Sequence, residues 1–270
     1  MEKKVVLITG ASSGIGRETA LFLAKCNYTV YGMARRVDKL KELESQNVKT
    51  LVLDITDEIS VINAINEVIK NEGRIDVLVN NAGYGEYGSV EDVSIENAKK
   101  QMEVNLFGLA RMTQQVLPYM RRQKSGKIIN ISSIGGKMAT PMGGWYYASK
   151  FALEGLSDSL RMEVKQFGIN VVLLEPGGIQ SEWAGIANTN MLTASKDTIY
   201  APFAKKVSSI VSLENKLPKP IIIAQLIRKI IETRNPKARY AKGFFAKPLL
   251  LLKRCLSDAM FDKIVLSQFK

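Results

Sequence analysis

A chain of 270 residues, 46% hydrophobic and 24% charged, has material for one substantial core, and no apolar run approaches the roughly 18 residues that span a bilayer. It contains no histidine, and Cys26 and Cys255 stand far apart with no CxxC pair, which excludes the common zinc and heme sites, predicts no metal, and fits a reducing cytoplasm. The net charge is +12, but 12 Lys and Arg against 3 Asp and Glu lie between Pro218 and Lys270, so the tail carries most of it, and no nucleic-acid motif accompanies it.

Short β-branched runs alternate with helical patterns from the start, the mark of a parallel sheet with helices on both faces. The N-terminal MEKKVVLITG has too few apolar residues for a signal peptide. A strand over 5–9 leads into Gly10, Ser12, Ser13, Gly14, Ile15 and Gly16 and then a helix over 14–26. Glycines let the backbone approach a pyrophosphate, and the new helix offers free amides and a positive dipole end. A strand over 28–33 ends at Arg35 and Arg36, ahead of a helix over 37–46. An acid there accepts the ribose 2′-hydroxyl of NAD, whereas two arginines attract a 2′-phosphate. The pair therefore favours NADP(H), with NAD(H) still admissible, unless both arginines are only the solvated start of the helix. The third strand, 48–53, ends at Asp54, which either accepts from the adenine amino group or serves as a turn or cap residue before a helix over 57–72.

Further strands over 75–79, 127–131 and 169–175 alternate with helices over 94–122 and 145–167. The expected fold is a single-domain α/β, doubly wound (Rossmann) parallel sheet over 1–270, with a C-terminal helical substrate lid. The 177–220 stretch reads as irregular, and loops of such length cover sites. A helix over 221–233 follows, then a tail over 242–270. There, near Leu249 to Phe269, basic residues interleave with apolar ones. Either these are solvated helix faces closing over the cleft, or one amphipathic helix makes peripheral contact with an anionic membrane or an acidic partner.

The helix over 145–167 opens with GWYYASK. A tyrosine near an ammonium can exchange protons more readily, and both Tyr146 and Tyr147 lie within one turn of Lys150. Tyr146 continues along its row to Leu153 and Ser157, while Tyr147 continues to Phe151, Glu154 and Asp158, which suits packing and surface.

In order along the chain, TGASSGIG, NNAG, Asn105, ISS, YYASK and PGGIQS resemble the motifs of the short-chain dehydrogenase/reductase family from about residue 3 to 185, with a layout similar to its hydroxysteroid-dehydrogenase-like branch. The resemblance implies an NAD(P)-dependent oxidoreductase and selects Tyr146 as proton donor. It assigns Ser133 to the substrate oxygen, Lys150 to the ribose and to lowering the tyrosine pKa, and Asn105 to a water-linked proton path. It places Asn81, Ala82 and Gly83 beside the cofactor, with Pro176, Gly177, Ile179 and Ser181 near the carboxamide. Family members often pair through the two long helices, so a homodimer or homotetramer is expected.

Trp183, Met191, Phe203, Phe244 and Phe245, with Met138, Met142 and Trp145, are candidates for an apolar pocket, which points to a lipophilic ketone or secondary alcohol. Two other readings remain at this stage. One is a 3-oxoacyl thioester reductase using the basic tail to hold an acidic carrier; the other is a non-catalytic dinucleotide-binding sensor or scaffold.

Overall fold

The structure is a computed structural model and describes residues 3–211 and 217–269. Among them, seven strands form one parallel sheet: β1 (Val5–Thr9), β2 (Thr29–Ala34), β3 (Lys49–Val52), β4 (Val77–Asn80), β5 (Gly126–Ile131), β6 (Ile169–Pro176) and β7 (Arg239–Lys242). Their order is β3-β2-β1-β4-β5-β6-β7, so the direction of winding reverses between β1 and β4. That reversal opens a crevice beyond the carboxyl ends of the strands, where such sheets take their ligands. Six strands match the sequence expectation. The seventh, RYAK, is short, polar and at the edge, so it carries no apolar run to betray it.

The central strands are buried on both faces and read as continuous apolar runs, as parallel strands must. On one face α1 (Gly14–Lys25), α2 (Val37–Glu44) and α9 (Ile221–Glu232) seal a core around Ile8, Val79, Ile129 and Val172. On the other, α3 (Glu58–Glu72) and α5 (Leu109–Gln123) pack Ile65, Val68, Met112 and Val116 against Leu7, Leu78 and Ile128. The amine of Lys127 on β5 donates to the carbonyls of Ile230 and Ile231 at 3.0 and 2.6 Å, holding the C-terminal end of α9 with a cation.

Three expectations change. The helix over 94–122 is α4 (Ile95–Met102) and α5, joined by a π-helical segment, Glu103–Gly108, that contains Asn105. The irregular stretch 177–220 contains α7 (Glu182–Ala194) and α8 (Ala201–Val211); part of that stretch, 212–216, lies outside the described residues. The single tail helix divides into α10 (Ala246–Cys255) and α11 (Asp258–Ser267). Leu256 is extended, and the Ser257 hydroxyl accepts from the Met260 amide to cap α11, a start signal that ends any continuous helix. No helix among the described residues is long and apolar enough to cross a membrane.

Candidate active site

A cleft of about 1290 Å³ opens at the reversal of the sheet. Its floor begins at the turn after β1. Gly10 has φ 67°, and a Cβ there would lie 2.8 Å from Ala82 Cα, so the β1 and β4 turns meet in backbone contact. Gly16 lies just beneath, where a Cβ would stand 2.4 Å from the Gly10 carbonyl oxygen. Ser13 caps α1 without a side-chain bond to its amides, leaving the helix start open toward the cleft. This open, glycine-lined helix start fits the pyrophosphate of a dinucleotide.

Ser12, Ser13, Gly14, Ile15, Arg35, Arg36 and Asp54 line this end together with Asn81, Ala82 and Gly83. Arg36 donates to the Ser12 hydroxyl at 3.2 and 3.1 Å and pairs with Glu182 of α7 at 3.3 Å. It thereby joins the end of β2 to the glycine turn and to α7. Asp54 accepts from the Thr56 amide and hydroxyl at 2.9 and 2.7 Å while it lines the cleft, so a turn contact and a cleft position coexist at this residue. Asn81 donates to the Thr9 and Gly10 carbonyls and so fixes the turn.

At the other end, α6 (Gly144–Val164) presents Tyr146 and Lys150, both buried. The Ser133 hydroxyl, beyond β5, accepts from the Gly135 amide at 3.0 Å and bonds to Tyr146. The Lys150 amine donates to the Ile131 carbonyl at 2.9 Å and stands 5.9 Å from the Tyr146 ring centre. Burial raises the Tyr146 pKa, opposed by the Ser133 hydroxyl, and also lowers Lys150 to about 8, opposed by the Glu154 carboxylate. The tyrosine therefore moves opposite to the direction expected from Lys150, because removing a phenolate from water outweighs the help from its neighbours.

Tyr147 is half-buried, and its hydroxyl is 2.6 Å from that of Thr140, away from Lys150. Its row is less superficial than its acids suggested. Glu154 is buried and ion-paired with Lys137 at 2.9 Å and Arg239 at 3.0 Å.

Asn105 does not line the cleft. From the π segment it donates to the Tyr84 carbonyl at 2.9 Å and the Ser149 hydroxyl at 3.0 Å, and accepts from the Tyr84 amide at 3.0 Å. A Cβ on Gly83 would lie 3.1 Å from its oxygen and 3.9 Å from the Lys150 amine, so Asn105 backs the point of the cleft wall where Gly83 and Lys150 meet. Pro176, Gly177, Ile179 and Ser181 line the wall that leads into α7.

Over Tyr146 sit two aromatic rings, Trp183 at 5.0 Å and Tyr87 at 5.6 Å between centroids, themselves 5.7 Å apart. The Tyr87 contact was not anticipated; its only sequence signal is the spacing of YGEYG after NNAG. Met138, Ile186 and Leu249 add apolar lining. Other expected pocket residues lie elsewhere. Met142 and Met191 pack with Ala204, Val207 and Phe203 in a satellite core, and Phe244 and Phe245 are exposed at 50% and 53%.

A family model described as short chain dehydrogenase matches residues 4–191. The 3-ketodihydrosphingosine reductase of Bacteroides thetaiotaomicron is 40% identical over 90% of this chain and 89% of its own length. The NADPH-dependent 3-dehydrocapnine reductase of Ornithobacterium rhinotracheale is 36% identical over 99% of this chain and 98% of its own. Among solved structures, a short-chain dehydrogenase from Streptomyces avermitilis superposes with a TM-score of 0.81 at 34% identity, covering 94% of this chain and 93% of that one.

Proposed function

The chain belongs to the short-chain dehydrogenase/reductase family of NAD(P)-dependent oxidoreductases, and on that premise we propose that it interconverts a lipophilic ketone and its secondary alcohol with NADP(H). The observation that carries this reading is the convergence of Ser133, Tyr146 and Lys150 at one end of a cleft whose other end holds the open helix start, Arg35 and Arg36. The chemistry supplied by the dinucleotide is hydride transfer at the carbonyl carbon. The protein contributes the proton and the geometry. Tyr146 gives its phenolic proton to the carbonyl oxygen, which Ser133 holds by a hydrogen bond. The Lys150 ammonium stabilises the phenolate left behind, and Asn105 holds the Tyr84 loop and Ser149 around that amine. In oxidation the same phenolate takes the alcohol proton.

Arg35 and Arg36 would meet the 2′-phosphate, and Asp54 the adenine rim. The aromatic roof over Tyr146 supports an apolar substrate, as do relatives named for 3-ketodihydrosphingosine and 3-dehydrocapnine. A series of linear ketones of increasing chain length, assayed with NADPH and with NADH, tests the whole reading. Each methylene buried is worth about 0.8 kcal/mol, so kcat/KM should climb roughly fourfold per carbon until the cleft is filled. Chain-length independence would remove the lipophilic part, and equal use of NADH would remove the cofactor preference.

A further inference from the structure

The tail has a second face that the cleft does not use. It is anchored by the buried Ala246 and Phe261 and by Phe269, whose ring lies 5.4 Å from that of Phe203. The exposed positions of α10 are patterned: Lys247, Leu251, Arg254 and Cys255 follow one another at helical spacing, so Leu251, 62% exposed, has a cation one turn away on each side. In α11 the exposed Met260 and Ile264 stand on either side of Lys263, with Asp258 and Asp262 also exposed on that helix. Ahead of α10, the exposed rings of Phe244 and Phe245 meet edge to face, with centroids 4.6 Å apart.

Phe245 adds a backbone signal. Its φ is 53°, a left-handed conformation that is an outlier for a bulky residue and natural for Asn or Gly. An aromatic ring that is 53% exposed at that position adds little to the fold among the described residues. The exposed face also begins at the cleft wall, because Phe244 and Gly178 exchange backbone hydrogen bonds at 3.0 and 3.2 Å and Leu249 of α10 lines the cleft.

Leu251 between Lys247 and Arg254, and the Phe244-Phe245 pair between Lys242 and Lys247, match an anionic surface with hydrocarbon beneath it. From Lys242 to Lys270 there are 6 Lys and Arg against 2 Asp, and no described helix can span a bilayer, so the match is to its surface. We infer that α10, α11 and the Phe244-Phe245 pair seat the enzyme on an anionic lipid surface, holding the mouth of the cleft at the bilayer so that a lipophilic ketone enters from it. The delivery role rests on the lipophilic-substrate reading, whereas the docking itself does not.

The test is co-sedimentation of the full-length protein with phosphatidylcholine vesicles, with and without phosphatidylglycerol. The protein binds the anionic vesicles and is released by salt. The pair Lys247→Gln and Arg254→Gln lowers the partition coefficient roughly tenfold or more. Phe245→Asn with Leu251→Ser, which leaves every charge in place, lowers it by a comparable factor. Phe245→Asn relieves the backbone strain, so its melting temperature holds or rises, and all variants keep wild-type turnover of a short, water-soluble ketone. Absence of binding to anionic vesicles overturns the inference. So does binding that the apolar pair leaves unchanged, since the tail would then be a plain polycation equally suited to an acidic protein. Vesicle binding without any preference for long-chain ketones would leave docking standing and sink the substrate reading instead.

Discussion

Tyr146 and Lys150 are both buried, and burial favours the neutral form of each, so the site holds its proton on the phenol and only loosely on the amine. Lys150, lowered to about 8, keeps its charge below that pH and loses it above. Ketone reduction should therefore fall as pH rises past about 8, seen in a kcat/KM profile against pH. A folded-state pKa below the unfolded value means that the unfolded chain binds more protons between the two, so this group weakens the fold at neutral pH and the penalty fades as pH rises. Lys150→Met should accordingly lose turnover without losing melting temperature at pH 7. Arg36 bonds Ser12 now and would share its guanidinium with a 2′-phosphate. Replacing Arg35 with Asp and Arg36 with Ala should raise the NADPH KM by about 10- to 100-fold, the scale of charged hydrogen bonds, and leave the NADH KM nearly unchanged. Steady-state kinetics with both cofactors measures that ratio. At this scale spacing put both Tyr146 and Tyr147 within a turn of Lys150, and the choice of Tyr146 came from its helical row and the family resemblance. The sequence was silent on Tyr87 and Trp183 meeting over Tyr146, because Tyr87 comes from the irregular stretch after β4 and Trp183 from the first turn of α7, and no local pattern dictates how the two approach.

Asn105 shows what an element can do that a residue list cannot. It sits in a π-helical segment between α4 and α5, and this insertion re-aims a helix-interior amide at the Tyr84 backbone and Ser149. A 3.6-residue period over 94–122 cannot announce that irregularity, so one uninterrupted helix was the natural reading. Asn105→Ala strands the Tyr84 amide and carbonyl; it should cost about 1–3 kcal/mol of stability by urea denaturation and reduce kcat as well. The β1 turn is the contrasting case. Its glycines are required by contacts of 2.4–2.8 Å that any Cβ would violate, which is why the motif could be read without a structure.

Across the whole molecule, the short edge strand β7 fastens the C-terminal region to α6. Arg239 pairs with Glu154 and Asp158 of α6 and lies 3.4 Å from Glu175 of β6. Burial and the Glu154 charge push Glu175 upward, so the two buried glutamates depend on Arg239 and Lys137, while Asp158 is also paired with Arg161. Arg239→Ala should cost roughly 3–5 kcal/mol near neutral pH, with a smaller loss in acid as the stranded carboxylates take up protons. Urea titrations at two pH values measure the difference. The doubly wound order was legible because strand and helix periods alternate for nearly the whole chain, whereas β7, α7 and α8 were not, since their polar or mixed patterns acquire meaning only through what they pack against. The central claim is that one tyrosine of the adjacent pair transfers the proton. Kinetics and NADPH binding of Tyr146→Phe and Tyr147→Phe test it most directly. The account predicts that Tyr146→Phe loses about 10²- to 10⁴-fold in kcat with NADPH affinity retained while Tyr147→Phe stays active; full activity in Tyr146→Phe would contradict it.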